Sequence, residues 1–280
     1  MWRRFYAEEI EAIANLQSPS VVEALATVPR ERFLPPGPWT IRGESDFMAP
    51  GRQTPDSDPR RIHHNIAVAI DAGRTLFNGA PGVVAGAIDA LGIPHGGRVL
   101  HVGTGLGYYT AVIAACAGEE GRVLGIEADE ALAAASTANL TSMPWVEVRH
   151  GDASGPLDEK FDAILVNAGV THPLPSWLDA LAPGGRIVVP ITATMGPAPI
   201  GKGPMLLLTA TGDPDRLAAR TTGFVAIYSA VGVRSDAANA RIGQALAKMP
   251  FAPIKSFRRD RHDPDQTCWL HLDEGCVSLQ

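Results

Sequence analysis

A glycine-rich turn near residue 105 has the residue types and spacing of a ligand-binding turn. The run Val99-Leu-His-Val-Gly103-Thr104-Gly105-Leu-Gly107-Tyr108 is typical of a strand that passes through a tight turn into a helix. Glycines let the backbone turn sharply and approach a ligand, and a helix N-terminus presents free amides and a positive dipole end to oxygen anions. The chemistry indicated is nucleotide binding.

Two acidic residues stand at the ends of the next two strand-like runs. Glu127 follows Gly107 by 20 residues, where a carboxylate can accept hydrogen bonds from both ribose hydroxyls. Asp152, in His150-Gly-Asp-Ala153, could offer an acid and a backbone amide to an adenine edge, although an isolated aspartate there more often forms a plain β-turn. Ligands of open α/β sheets bind at the carboxyl ends of the strands, so the joint placement predicts one site.

The spacing of the glycines separates two classes of cofactor. Dinucleotide-binding turns use Gly-x-Gly-x-x-Gly, whereas this turn is Gly-x-Gly-x-Gly. A nicotinamide-dependent oxidoreductase would also need a second nucleotide-binding half, which the sequence does not show. It stays an alternative because it shares the glycine turn and Glu127.

The elements that position these residues alternate between strand and helix. Such alternation predicts a doubly wound, Rossmann-like parallel sheet covered by helices, in the α/β class. The predicted strands are Arg98–Val102, Arg122–Ile126, Val146–Val148, Phe161–Val166 and Arg186–Ile191, and the helices between them are Tyr109–Ala117, Glu130–Leu140 and Pro173–Leu181.

Sections of different character flank this core. We predict three regions: an N-terminal helical section with the substrate loop (1–92), the cofactor-binding core (93–210) and a C-terminal extension that packs on it (211–280). The front contains two helices between Glu8 and Leu34, an irregular segment to Arg61, a strand over Asn65–Asp71 and a helix over Pro81–Leu91. The end contains possible further strands at Met205–Ala210 and Phe224–Val231, a loop at Pro197–Pro204, a helix at Ala237–Lys248, and an irregular tail with one final buried strand around Cys268 and Trp269.

Composition excludes several functional classes. The 24 basic residues are outnumbered by 30 acidic ones, giving a net charge of −6, which argues against a broad nucleic-acid surface. No apolar run approaches the roughly 20 residues that span a bilayer, and the N-terminus does not resemble a signal peptide. Three cysteines without a Cys-x-x-Cys pair do not make a disulfide framework, so we expect a reducing, cytoplasmic location.

The quoted residues resemble class I S-adenosylmethionine-dependent methyltransferases, and among these the protein-L-isoaspartate O-methyltransferases. The front run Val22-Glu-Ala-Leu-Ala-Thr-Val-Pro-Arg-Glu-Arg-Phe-Leu-Pro35 is similar to that family's Ala-x-x-x-Val-Pro-Arg-x-x-Phe-Val-Pro pattern, and the likeness extends over about residues 10–195. It implies S-adenosylmethionine as cofactor and a carboxylate of a protein or peptide as methyl acceptor. The implied cofactor contacts are Gly103, Thr104 and Gly105 at the methionine end, Glu127 at the ribose, Asp152 and Ala153 at the adenine, and Gly107 and Tyr108 in the same turn.

The substrate loop departs from the family. Where the family has Gln-Thr-Ile-Ser-Gln-Pro, this chain has Arg74-Thr-Leu-Phe-Asn-Gly79, so Thr75 is retained and Phe77 replaces the serine. The resemblance implies Thr75, Asn78 and Asn167 as catalytic residues, with Arg74 a further candidate. The alternatives left open are a peptide-tailoring or small-molecule methyltransferase of the same fold, and a non-catalytic cofactor-binding adaptor.

Histidines and a basic cluster suggest two further sites, which we interpret as structural. Adjacent His63 and His64 point to opposite faces of an extended segment, and no two of the eight histidines have helical or finger-like metal spacing, so we predict no metal site. His101 is expected to be a core residue, whereas His64 and His172 could touch substrate. The cluster Lys255–His262 is interrupted by aspartates and is expected to be internally paired.

Overall fold

A computed structural model describes residues 1–43, 51–194 and 199–280. Most of its helices begin and end close to the predicted positions. The exceptions are the first helix, which begins at Trp2 instead of Glu8, and the helix predicted over Pro173–Leu181, which is shorter. The helices are α1 (Trp2–Ala14), α2 (Pro19–Thr27), α3 (Pro81–Leu91), α4 (Tyr108–Ala117), α5 (Glu130–Asn139), α6 (Pro175–Asp179) and α7 (Asp236–Lys248), with short 3-10 helices at Arg30–Phe33 and Pro59–Ile62.

The strands form one large sheet and one small one. They are β1 (Thr40–Arg42), β2 (Arg52–Gln53), β3 (Ala67–Asp71), β4 (Leu76–Phe77), β5 (Arg98–Val102), β6 (Arg122–Glu127), β7 (Val146–His150), β8 (Phe161–Val166), β9 (Leu181–Pro190), β10 (Ala193–Thr194), β11 (Ile200–Ala210), β12 (Arg216–Tyr228), β13 (Ser256–Arg258), β14 (Cys268–Leu272) and β15 (Gly275–Ser278). The large sheet has the order β14-β15-β13-β12-β11-β9-β8-β5-β6-β7, with β10 paired to β11, and the small sheet is β2-β1-β3-β4.

The parallel half of the large sheet is the predicted core. Strands β7, β6, β5, β8 and β9 pair in parallel in that order. β5 and β8 carry continuous buried runs, as expected for strands whose two faces are both covered by helices. The predicted Rossmann-like α/β fold is therefore confirmed.

Local sequence signals set the helix ends in this half. Pro81 opens α3, and Gly92 closes it in the left-handed conformation. The Asp129 side chain caps α5 by accepting the Leu132 amide. The predicted helix over Pro173–Leu181 stops at Asp179 because Leu181 pairs with Phe161 at the start of β9.

The front section packs its two helices on α3 and α4. The small sheet follows α2 along the chain. The segment Pro35–Arg61, predicted to be irregular, contributes two of its short strands, β1 and β2. Its residues 44–50 lie outside the described part of the chain.

The C-terminal half differs most from expectation. The loop predicted over Pro197–Pro204 is strand from Ile200 onward, and residues 197 and 198 lie outside the described residues. The final strand predicted around Cys268 and Trp269 is β14, whereas the rest of the tail, predicted to be irregular, adds β13 and β15. All three extend the sheet by antiparallel pairing beyond β12. β13 and β15, of three and four residues, are stabilised by pairing with other segments of the chain, which their own short sequences do not signal. In the described residues no helix is both long and apolar enough to cross a membrane.

Candidate functional site

A cavity of about 720 Å³ opens at the carboxyl ends of the parallel strands. On the core side it is lined by the segments that follow β5, β6, β7 and β8. On the opposite side it is lined by the β3–β4 hairpin and by the end of β12. Its volume falls within the range of small-molecule and cofactor sites.

The glycine turn adopts backbone conformations that only glycine reaches without strain. Gly103, Gly105 and Gly107 have φ angles of 83°, 55° and 94°. A side chain at Gly103 would come within 3.2 Å of the Asn167 carbonyl oxygen. The turn therefore brings its backbone close to the segment after β8 and leaves space in front of it for a ligand.

Glu127 holds this turn in place. Its Oε2 accepts the Gly105 amide at 2.7 Å and its Oε1 accepts the Asp129 amide at 3.1 Å. The side chain is largely buried yet lines the cavity. A carboxylate oxygen can accept more than one hydrogen bond, so both oxygens keep capacity for a ligand hydroxyl.

Thr104 supplies an unused polar atom in the same wall. It is 5% exposed, and its Oγ1 has no hydrogen-bond partner among the described residues. Buried hydroxyls nearly always have a partner. An unpartnered hydroxyl on a residue that lines the cavity is consistent with a ligand that completes the site, as the implied cofactor would.

Asp152 lines the cavity after β7. Hydrogen bonds from the Ser154 hydroxyl and amide, at 2.6 Å and 3.0 Å, hold the pKa of the Asp152 carboxyl below its ordinary value. The carboxylate is therefore ionised and available as an acceptor near neutral pH.

The other predicted cofactor contacts have different positions. Ala153 is not among the described lining residues; it is buried in the core, and its carbonyl accepts the Trp177 indole N–H at 2.9 Å. Gly107 begins α4 and likewise does not line the described cavity, because it faces Ser136 and Leu140 of the α5 region. Tyr108 does line the cavity, and its hydroxyl is 3.2 Å from that of Tyr6.

Asn78 presents a free donor on the substrate side. Its Oδ1 accepts the Val68 amide at 2.9 Å and the Arg30 guanidinium at 3.4 Å. Its Nδ2 is buried and has no hydrogen-bond partner within the described residues. Because Asn78 lines the cavity, this amide nitrogen is a candidate donor to a substrate carboxylate.

Arg30, from the Val-Pro-Arg run of the front section, fixes that loop from behind. Its guanidinium is fully buried and donates to the carbonyls of Ile62 at 2.5 Å and Ile66 at 2.8 Å. The front motif therefore supports the substrate loop by binding the chain segment that leads into β3. No sequence pattern in that segment predicts its contact with Arg30.

Thr75 is where the structure departs from the expected substrate loop. It lies in the exposed turn between β3 and β4 with φ 56°, and it is not among the described residues that line the cavity. The candidate Arg74 is also exposed and is paired with Asp71 and Asp129. The position of Thr75 therefore does not support its predicted contact with substrate, since the turn points its side chain to solvent rather than into the cavity.

Asn167 lies where the sequence placed it, at the end of β8 and in the cavity wall. Its backbone N–H donates to the Val102 carbonyl at 2.8 Å, and this hydrogen bond joins the ends of β8 and β5. Thr104, Glu127, Asn78 and Asn167 thus surround one space.

Two lining residues were missed by the sequence analysis. The Arg42 guanidinium lies over the Phe77 ring, 4.1 Å from its centroid, and Arg42 is the only basic side chain among the described lining residues. The Tyr228 hydroxyl, on β12, donates to the Thr75 carbonyl. Both residues come from segments far from the glycine turn, and their spacing carries no signal of this proximity.

The histidines have mostly structural positions. His101 is fully buried with Nδ1 2.9 Å from the Thr110 hydroxyl, as predicted. His64 and His172 are not among the described lining residues; they lie beside Glu9 and Glu274.

One group of side chains with metal-binding atoms was not foreseen by the sequence analysis, which predicted no metal site. The β14–β15 hairpin brings His262 and His271 together with Cys268 and Cys276. The spacing rules for histidines alone do not cover a mixed set assembled by strand pairing. In the Lys255–His262 cluster, Arg258 pairs with Asp260, as predicted, whereas Arg259 pairs outside the cluster with Asp179 at the end of α6.

Comparisons with known proteins agree with this geometry. A family model described as Protein-L-isoaspartate(D-aspartate) O-methyltransferase (PCMT) matches residues 53–197. The chain is 33% identical over 231 residues to the Protein-L-isoaspartate O-methyltransferase of Methylorubrum populi, covering 80% of this chain and 94% of the relative. It is 36% identical over 194 residues to Protein-L-isoaspartate O-methyltransferase 1 of Rhodopseudomonas palustris, covering 68% and 69%.

Solved structures show the same fold. A protein-L-isoaspartate O-methyltransferase superposes with a TM-score of 0.63 at 22% identity, over 86% of this chain and 68% of that one. A putative protein-L-isoaspartate O-methyltransferase from Plasmodium falciparum, in complex with S-adenosyl-L-homocysteine, superposes with a TM-score of 0.58 at 17% identity, over 81% of this chain and 97% of that one.

Proposed function

The chain belongs to the protein-L-isoaspartate(D-aspartate) O-methyltransferase family, whose cofactor is S-adenosylmethionine, and we propose that it methylates the carboxylate of an isoaspartyl residue in a protein or peptide. The observation that carries the proposal is the shared cavity. One wall is the glycine turn with Glu127 and Thr104, and the facing wall holds Asn78 with its unpartnered amide nitrogen.

The cofactor would be held by residues of the core wall. We propose that Glu127 binds the ribose hydroxyls, that Asp152 binds the adenine, and that Gly103, Thr104 and Gly105 surround the methionine end. When bound, the cofactor supplies a methyl group on a positively charged sulfur. The unpartnered Thr104 hydroxyl and the open space before the glycines are the features that fit it.

The acceptor needs no general base from the protein. A carboxyl group with an ordinary pKa near 3.9 is already ionised at neutral pH, so its oxygen is a ready nucleophile. Rate then depends on aligning that oxygen with the methyl group in a space from which water is excluded. We propose that Asn78 Nδ2 donates to the acceptor carboxylate and that Asn167 fixes the wall between the two ligands.

Arg42 adds electrostatic attraction for an anionic acceptor. Its guanidinium lies over the ring of Phe77, where the family has a serine. A cation stacked on an aromatic ring keeps its position at low entropic cost. In this proposal the Arg42–Phe77 pair takes over the anchoring that the serine hydroxyl gives elsewhere in the family.

An apolar surface at the cavity mouth favours a peptide over a small molecule. Phe224 and Val231 line the cavity and are 42% and 66% exposed. Phe251, 81% exposed, packs its ring 5.1 Å from that of Phe224. Clustered exposed apolar side chains beside a site are typical of contact with a larger partner.

The comparisons do not favour the alternatives of a peptide-tailoring or small-molecule enzyme, an adaptor or a nicotinamide-dependent oxidoreductase. The cytoplasmic location expected from the cysteines stays a prediction.

The experiment is methyl transfer from labelled S-adenosylmethionine to three peptides that differ at one position, isoaspartyl, aspartyl and asparaginyl. We expect label on the isoaspartyl peptide alone, released by mild base as a methyl ester is. Cofactor binding is measured in parallel by calorimetry. Bound cofactor with no label on any peptide would reject the isoaspartyl acceptor while leaving the cofactor assignment intact.

A further inference from the structure

We propose that His262, Cys268, His271 and Cys276 form a structural Zn²⁺ site, here called the Cys₂His₂ cluster, in the C-terminal extension. The four residues are separated by five, two and four residues along the chain. Two of them lie on β14, one is the second residue of the short β15, and one lies in the loop after β13. They are not among the described residues that line the cavity, so the cluster is distinct from the cofactor site.

The distances suit one tetrahedral ion. One ligand atom from each residue lies within 4.8 Å of all the others. Cys268 Sγ is 3.5 Å from His262 Nε2 and 4.0 Å from His271 Nδ1. Zinc bonds of about 2.3 Å to sulfur and 2.1 Å to nitrogen put tetrahedral ligand atoms roughly 3.3–3.8 Å apart, so the widest separation has to close by about 1.5 Å at most to complete the site.

Hydrogen bonds around the cluster orient two of its members. His262 Nδ1 lies 2.9 Å from the Asp260 carbonyl, which can only accept, so Nδ1 carries the proton and Nε2 turns its lone pair toward Cys268. The Asp265 amide donates to Cys268 Sγ at 3.4 Å. A histidine with its second nitrogen bonded to a carbonyl is the usual outer arrangement of a metal ligand.

The ligand types select the ion and its role. Thiolates with imidazoles favour zinc over the oxygen-seeking Ca²⁺ and Mg²⁺. Two thiolates neutralise the charge of Zn²⁺, and the neighbouring Arg258 is already paired with Asp260 at 2.7 Å. Four protein ligands leave no open coordination position, so the ion is structural rather than catalytic.

The ion would cross-link two parts of the C-terminal extension. It ties the loop between β13 and β14 to the β14–β15 hairpin at the edge of the large sheet. The turn of that hairpin carries Glu274, whose Oε1 is 3.6 Å from His172 Nε2 in the segment after β8. Because a metal bound only by the folded chain stabilises it, removing the ion is expected to loosen this edge.

The test measures metal content of the full chain purified under reducing conditions. We expect about one zinc ion per chain by elemental mass spectrometry. Replacement of the zinc by Co²⁺ should give the intense visible absorption bands of a tetrahedral thiolate site. Cys268→Ser and Cys276→Ser should lose the zinc and the cobalt spectrum. The matched control is Cys116→Ala, because Cys116 is buried in α4 outside the cluster.

Stability provides the second readout. Chelation of the wild type, or either cluster substitution, should lower the unfolding temperature by about 5 °C, while S-adenosylhomocysteine affinity stays within about twofold. No metal in the wild type after incubation with Zn²⁺, or a Cys268–Cys276 disulfide found by peptide mapping of the reduced preparation, would overturn the proposal. Because the cofactor is bound elsewhere, failure of the zinc site leaves the methyl-transfer assay unaffected.

Discussion

At the residue scale, a buried cation and an amide together form the back of the substrate wall. The two terminal nitrogens of the Arg30 guanidinium donate to backbone carbonyls and to the side-chain oxygen of Asn78. That leaves Asn78 with only its amide nitrogen free, since the Val68 amide takes the same oxygen. The orientation of the amide is thus set by two donors, and the nitrogen has to point elsewhere.

Asn78→Asp isolates the free donor. The aspartate keeps an acceptor for Arg30 and Val68, replaces the N–H donor by an acceptor oxygen, and places a negative charge beside the buried Arg30 cation, so stability should be unchanged or slightly higher. Loss of a hydrogen bond to a charged acceptor, with a carboxylate placed opposite it, should lower kcat/KM for the isoaspartyl peptide by about 30-fold or more. Steady-state methylation and calorimetric affinity for S-adenosylhomocysteine are the measurements.

The matched control is Asn15→Asp, because Asn15 is an exposed residue at the end of α1. Its kinetics should match the wild type. Unchanged peptide kinetics in Asn78→Asp would show that the amide nitrogen does not contact the acceptor.

Glu127→Gln tests the cofactor wall at the same scale. The carboxylate accepts two backbone amides, and a glutamine would turn an NH₂ group toward one of them. We expect S-adenosylhomocysteine affinity to fall by about 10- to 100-fold, the loss of one or two hydrogen bonds to a charged group. Glu130→Gln, at an exposed position three residues later, is the control and should bind normally; equal affinity in both variants would reject the ribose role of Glu127.

At the element scale, the β3–β4 hairpin lines one side of the cavity and is held by contacts with two other parts of the fold. Arg74 in its turn pairs with Asp129, the residue that caps α5 and lines the cavity. The Thr75 carbonyl in the same turn accepts the Tyr228 hydroxyl from β12. The turn therefore connects the core wall to the C-terminal half across the cavity, although Thr75 itself does not line it.

Arg74→Gln should release one of these ties. The ion pair is about half exposed, so its contribution to global stability is small, below about 1 kcal/mol. We expect the β3–β4 hairpin to be held less firmly against the cavity, so that S-adenosylhomocysteine dissociates about three- to tenfold faster in stopped-flow experiments. The control is Arg60→Gln, which breaks an exposed ion pair with Asp58 away from the cavity and should leave the dissociation rate of S-adenosylhomocysteine unchanged. Identical dissociation rates in the two variants would show that the Arg74–Asp129 pair does not hold the cavity wall.

The sequence predicts elements well where the signal is local. β5 and β8 were predicted with the bounds observed, because each is an apolar run between polar residues or turns. The glycine turn and Glu127 were predicted for the same reason, since strand, turn and helix are contiguous. β13 and β15 were missed because a three- or four-residue strand is defined by its distant partner. Arg42 and Tyr228 were missed from the site for the corresponding reason.

At the scale of the whole molecule, two buried histidines make stability depend on pH. His101 lies in the centre of the large sheet, and burial lowers its pKa to about 3. His63 lies in the front section near Arg3, Arg30 and Glu31, and burial lowers its pKa to about 4. Both are neutral in the folded chain near neutral pH, whereas in the unfolded chain each takes up a proton below about 6.5.

The sign follows from this difference in bound protons. Between pH 6.5 and the folded pKa values the unfolded state binds more protons, so the free energy of unfolding falls as the pH falls. From pH 7 to pH 5 each histidine should remove about 2 kcal/mol, before the carboxylates with lowered pKa values begin to titrate. Denaturant unfolding at pH 7, 6 and 5 measures the slope.

His101→Asn separates this contribution from general acid sensitivity. Asparagine can still bond the Thr110 hydroxyl but cannot take up a proton, so the variant should be less stable at pH 7 and lose less on acidification than the wild type. His95→Asn, at a side chain 73% exposed, should keep the wild-type slope. If His101→Asn retained the full slope, the pH dependence would have to arise outside the sheet core. His63 in the front section would then be the remaining buried histidine, and its substitution by Asn in the same assay would show whether it is the source.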